Sequence, residues 1–231
     1  MKTKILLTIV LALSLSASNA QVKPFRFGVK ASPVLAWMSP DAEGFENDGT
    51  YFGFSWGFMA DITLTENYFI KTGFNMDYLG GKLRYTSMED VSGTGDPVTG
   101  TLYRKYKLRY LQIPVTLKMK TNKFGNVAYF GEIGFGGSMN LKAKATDEFN
   151  YSGQTTPAYE TDIKDDINFM KASLIVGAGL EYYLDESTSL LFSLNFNNGL
   201  TDILKGETNT DPPVKEKAVL YYFQLNVGVL F

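Results

Sequence analysis

The 231-residue sequence holds no cysteine and no histidine. Without cysteine there is no disulfide frame, no thiolate nucleophile and no cysteine-linked lipid anchor. Without histidine, Ser-His-acid and Cys-His mechanisms and His-ligated zinc are excluded, along with the outer-membrane hydrolases that depend on an imidazole. A dominant charge sign is missing too, because 22 Lys and Arg stand against 24 Asp and Glu. That balance gives no electrostatic footprint for a nucleic acid, so no such partner is expected. Also absent is any stretch near the roughly 20 apolar residues that a spanning helix requires.

The longest apolar run, Ile5 to Leu15, follows Lys2 and Lys4 and precedes Ser18-Asn19-Ala20. Small residues at minus three and minus one suit signal peptidase. Residues 1–20 are therefore expected to be a signal peptide cut before Gln21, leaving 21–231 as one exported domain. Removing residues 1–20 takes two lysines, so 22 − 2 = 20 basic side chains face 24 acidic ones. No Pro/Ser-rich linker divides the remainder.

What the chain does have is alternation. In Val219–Phe231 the odd positions Val219, Tyr221, Phe223, Leu225, Val227, Val229 and Phe231 are all large and apolar, whereas Gln224, Asn226 and Gly228 lie between them. Strand side chains point alternately to opposite faces, so this pattern reads as a strand with one apolar face. It recurs in seven earlier stretches, most cleanly at Phe52, Phe54, Trp56, Phe58, Ala60, Ile62 and Leu64. The connections alternate in length: long near 39–49, 86–100, 145–166 and 201–217, short at Glu66-Asn67, Asn122–Asn126 and Asp185–Ser187. Short turns at one end and long loops at the other are the pattern of an all-β, eight-stranded antiparallel up-and-down transmembrane β-barrel. Pro33 interrupts the first strand and is expected to mark a bulge or irregularity near the outer rim.

Alternation does not say which face points in. Eight strands enclose room for little more than their own inward side chains. The Phe-, Tyr- and Trp-rich face is too bulky for that space, whereas the Gly- and Ser-rich face fits. Phe54, Trp56, Phe58, Phe192, Leu194, Phe223 and Leu225 are accordingly expected to face lipid. Tyr68, Tyr129, Tyr182 and Phe231 at one end, with Trp37, Tyr78 and Tyr221 at the other, suit interfacial aromatic girdles. In the fourth strand the outward register would carry Lys105, Lys107 and Arg109 into lipid, where a cation at mid-bilayer costs roughly 2–4 kcal/mol. Either that part rises above the hydrocarbon or a bulge switches its face.

Inward charges must be paired, since an isolated buried ion is very costly. Lys30, Asp61, Lys71 and Glu132 lie at similar distances from the short-turn end. They are expected to form one network that plugs the lumen, joined by Lys118 and Asn226. The plain role of such a network is a structural polar core, and the sharper one is a proton- or ion-conducting path. The doublet Asp165-Asp166 falls in a loop and reads as solvated. The loop acids Asp41, Glu43, Glu46 and Asp48 lack the spacing of a calcium-binding loop. No metal, cofactor or catalytic residue is expected.

The stretch Tyr110-Leu111-Gln112-Ile113-Pro114-Val115-Thr116-Leu117-Lys118 resembles the central strand of the PorT-like outer-membrane β-barrel family, and Phe27–Ala31 and Gly177–Gly179 are similar to that family as well. The resemblance implies a small integral barrel in the outer membrane of a Gram-negative bacterium, with Phe231 as part of the signal read by the barrel-insertion machinery. Two functions fit. One is a non-enzymatic envelope anchor whose surface loops bind a partner. The other is a narrow channel or an accessory of a secretion machine of the type IX kind.

Overall fold

The computed structural model describes residues 24–231, so the expected signal peptide lies outside the described residues. Eight long strands dominate: β1 (Phe25–Pro40), β2 (Tyr51–Thr65), β3 (Tyr68–Glu89), β4 (Val98–Lys120), β5 (Val127–Tyr151), β6 (Met170–Tyr183), β7 (Ser189–Gly199) and β8 (Ala218–Leu230). Each pairs antiparallel with the next, and β8 pairs back onto β1 in the register Val29↔Val229 and Trp37↔Tyr221, closing the ring. Around the ring, closure leaves no unpaired sheet edge, which a strand crossing hydrocarbon cannot tolerate. At the joint, the Phe231 N–H donates to the Phe27 carbonyl (2.8 Å), so both ends of the barrel sequence sit at the short-turn end.

Pro33 makes no bulge. The β1–β8 pairing skips Ser32 and Pro33 yet keeps one register from Gly28↔Leu230 to Pro40↔Ala218, and Pro33 pairs with Phe54 on the other side. The ring loses some ladder pairing there and keeps its geometry, with Pro33 pointing outward.

The strands are unequal. β3, β4 and β5 run 22, 23 and 25 residues, against 14, 11 and 13 for β6, β7 and β8. About 9–11 residues cross a bilayer, so the three long strands stand well clear of it. Part of what reads in the sequence as the loops 86–100 and 145–166 is therefore strand. Only residues 90–97 join β3 to β4, and β5 continues to Tyr151. The tip is ordered locally, the Asp90 carboxylate accepting the Gly93 and Gly95 N–H groups at 2.8 and 2.9 Å. Those bonds hold Asp90 below its usual pKa.

Inside this tall end lies an apolar core of Val34, Ala36 and Met38 from β1, Leu79, Leu83 and Tyr85 from β3, Leu102, Tyr106, Leu108 and Tyr110 from β4, and Ala218, Leu220 and Tyr222 from β8. The long connections close over it. Phe45 stacks on Tyr85 at 4.2 Å, and Ile163, Ile167, Ile203 and Leu204 are buried beneath. The connections read as polar because their apolar residues come singly or as the one pair Ile203-Leu204, too few to show a periodicity.

Candidate functional site in the barrel interior

The side chains expected in the lumen are all buried inside the ring: Lys30, Asp61, Lys71, Lys118, Glu132 and Asn226. They do not form one network. Asp61 and Lys71 are cross-strand partners, as are Lys118 and Glu132. The ion pairs nevertheless cross: Lys118 reaches Asp61 at 2.7 Å, and Lys71 reaches Glu132 at 2.9 Å. Lys30 meets no carboxylate within ion-pair distance and donates to Asn226 Oδ1 at 3.0 Å, with Ser32 Oγ donating to the same atom at 2.8 Å. Equal distance along different strands does not mean contact, because long lysines span the narrow lumen to whichever acid lies opposite.

The lower cluster centres on Glu181. It accepts from Arg26 at 2.8 Å, from Lys120 at 3.3 Å, from the Tyr183 hydroxyl at 2.9 Å and from Lys118. Lys118 also stands 4.5 Å from the centre of the Phe130 ring. Around these ions Met59, Phe130, Leu191 and Leu230 make a small apolar floor. Glu181 and Arg26 are identifiable as inward-facing in the sequence. Their partnership across 155 residues leaves no signal there.

One level up, Glu132 also accepts from Asn195 Nδ2 at 2.6 Å, and Gln112 bridges Asn75 (3.1 Å) and the Tyr222 hydroxyl (2.9 Å). Lys171 stands over the rings of Tyr110 and Tyr222 at 5.0 and 5.3 Å. Glycine permits this filling, since a Cβ on Gly177 would meet Asn195 Oδ1 at 2.4 Å and one on Gly179 would meet Ser193 Cβ at 2.5 Å. The cavity left among Lys30, Lys71, Gln112 and Glu132 is about 20 Å³. That volume holds about one water.

Above lies the apolar core, with one buried ionic group in it. Arg104 grips Asp147 through two 2.8 Å hydrogen bonds and lies 3.9 Å from Glu216, which the Tyr85 hydroxyl meets at 3.3 Å. Burial pushes Glu216 above the ordinary carboxylate range, against the pull of Arg104.

On the outer face, Phe54, Trp56, Phe58, Phe192, Leu194, Phe223 and Leu225 are exposed, each 40–52 %. Trp37, Phe196, Tyr221 and Phe223 form an aromatic cluster on β1, β7 and β8 with centroids 5.0–6.4 Å apart. Lys105, Lys107 and Arg109 also point outward, so β4 keeps its face and rises above the apolar band. Among the described residues no group of His, Cys, Asp and Glu is arranged to hold a metal.

A closed eight-stranded ring with an apolar belt outside and a packed polar interior is an integral outer-membrane barrel. The chain belongs to the family described as outer membrane protein beta-barrel domain, whose model matches residues 16–205. β8, which closes the ring, lies beyond that span. Among solved structures the chain is similar to the outer membrane protein OprG from Pseudomonas aeruginosa at 11 % identity, covering 90 % of this chain and 97 % of that one with a TM-score of 0.50. It also matches Neisserial surface protein A at 16 % identity, covering 90 % and 96 %, TM-score 0.43. A third match is the outer membrane protease OmpT from Escherichia coli at 11 %, covering 93 % and 99 %, TM-score 0.39. Identities this low speak to the fold alone. No curated protein matches the chain.

Proposed function

We propose that this barrel is a non-enzymatic, non-conducting anchor in the outer membrane that displays a folded cap as a binding surface. The observation that carries the reading is the double seal: an ion-paired, amide-packed lumen with about 20 Å³ free, beneath an apolar core closed by Phe45, Ile163, Ile203 and Leu204. A conducting path would have to break both. The cap is the part with an ordered surface to offer, since Asn168, Ile203 and Ala218 tie three segments together through 2.8 and 2.9 Å backbone bonds. Its partner is an envelope component.

Within the family we assign the chain to the PorT-like kind on its Tyr110–Lys118 strand, with residues 1–20 as export signal and Phe231 as insertion signal. Single-channel recording in planar bilayers tests the main claim. The expected result is silence from protein that keeps heat-modifiable migration. Steady conductance would instead favour the channel or secretion-accessory role.

A further inference from the structure

The outer faces of β3, β4 and β5 carry cations in an arrangement that a sheet avoids. Lys107 is directly opposite Lys144, Arg109 opposite Lys142, and higher up Lys82 opposite Lys105. Like charges in directly opposed positions lie about 4.5–5.5 Å apart at Cβ and are destabilising. Among the described residues, the carboxylate that forms ion pairs with the lower two pairs is Glu160, which meets Lys107 (2.8 Å) and Lys144. Asp162 lies across the ladder from Lys144 and attracts it without a direct ion pair, its carboxylate accepting the Lys164 N–H. Four cations against Glu160 and the neighbouring Asp162 leave an excess of two positive charges around one cleft of about 270 Å³.

Two further features shape this cleft. The β4–β5 register shifts between Arg109 and Tyr110, so β5 has an extra residue there. Leu141 and Lys142 consequently both face outward, one apolar and one cationic, and the inward face passes to Ala143 and Ala145. Bulges of this kind re-aim side chains. Second, the Arg109 guanidinium carbon stands 4.8 Å from the centre of the Tyr78 ring, with no ion-pair partner among the described residues. A guanidinium left without a carboxylate keeps its planar fork of donors free, the shape that suits phosphate.

The cleft continues downward. Tyr51 and Tyr78 line it and also line an open apolar groove of about 550 Å³ with Phe52, Phe54 and Trp56. A cationic pocket set directly above a lipid-facing groove matches a molecule with an anionic head and acyl tails. The long-loop end faces outward in this family's architecture. We propose that β3–β5 form a binding site for a phosphorylated lipid of the outer leaflet, its phosphate held by Arg109, Lys142, Lys107 and Lys144 and an acyl chain laid against Tyr78, Phe54 and Trp56.

The test uses the folded protein in nanodiscs of zwitterionic lipid. Native mass spectrometry would count bound bisphosphorylated lipid A against the same lipid with both phosphates removed. The expected result is at least a tenfold preference for the phosphorylated form, lost in Arg109→Gln/Lys142→Gln and reduced in Lys142→Gln alone. It should be kept in Lys123→Gln, which removes a cation from the opposite end. All variants are first checked for heat-modifiable migration. Equal retention of the two lipids, or undiminished preference in the folded double variant, would overturn the assignment. Because the readout is lipid retention, it stands or falls independently of whether the barrel conducts.

Discussion

The lower and upper halves of β4 are one strand with opposite rules. Below Tyr110, the inward side chains Lys118, Thr116 and Gln112 are polar, and the outward Met119, Leu117, Val115, Ile113 and Leu111 are apolar. Above it, Leu108, Tyr106 and Leu102 turn inward while Arg109, Lys107 and Lys105 face out. The pleat fixes which residues share a face, and the surrounding medium fixes which face is apolar. Where hydrocarbon surrounds the ring, the interior is the one place for polar groups; where water surrounds it, the interior reverts to the core of a soluble barrel. The inward faces of β1, β3 and β8 turn apolar as well, passing from Ser32 to Val34, from Asp77 to Leu79 and from Gln224 to Tyr222. On their outward faces, β1 and β8 keep the apolar Leu35, Trp37 and Tyr221.

The sharpest way to break this comparison is to exchange what holds each interior. Lys118→Met strands Asp61 and Glu181 without their shared cation, and removing one partner of a buried pair costs about 3–5 kcal/mol. The expected outcome is a large fall in the urea midpoint of folded-band migration. A loss below about 1 kcal/mol would mean that ions do not hold the lower half. In the upper half Leu83→Ala, at a fully buried site, is expected to cost about 2–5 kcal/mol by leaving a cavity. That loss should appear as protease sensitivity of the cap before the barrel itself unfolds.

The outer face gives a smaller contrast. Leu194→Arg in the apolar belt is expected to cost about 2–4 kcal/mol, as for a cation set among lipid tails. Lys105→Leu above the belt should stay within about 0.5 kcal/mol, an ordinary surface change. Similar costs for the two in urea unfolding would erase the boundary drawn at Tyr110.

Much of this was legible in the chain. The alternation and the long-short loop rhythm give the ring and its strand count, because a period of two survives wherever one face is apolar. The outward lysines of β4 were legible as a conflict, and the strand resolves it by rising out of the bilayer. The pairing inside the lumen was not legible. Lys30, Asp61, Lys71 and Glu132 each read as inward, but which lysine meets which acid depends on reach across the ring, and Glu181 gathers four donors from β1, β4 and its own strand. The cap core was hidden for a different reason. Phe45, Ile163 and Ile167 come singly and Ile203 with Leu204 as a pair, from three connections, and only the tertiary fold brings them together.

The smallest expected effect tests whether the upper outer face is in water. Glu160 is pulled down to about 2, chiefly by hydrogen bonds from Lys107 and Lys144. The unfolded chain would titrate near 4.3. With the folded value depressed, the contact's contribution is present above about pH 4.3 and is lost as pH falls through about 2. Because Glu160 is exposed, that contribution is small and screened. The carboxyl carbon of Glu160, followed by NMR in zwitterionic nanodiscs, should titrate near pH 2, and in Lys144→Gln the midpoint should climb toward 4.3. Raising salt to about 1 M shortens the screening length to about 3 Å, so the wild-type midpoint should climb as well. A depressed midpoint indifferent to salt would put these charges out of reach of bulk water, and the membrane boundary would then lie above the cationic cleft instead of below it.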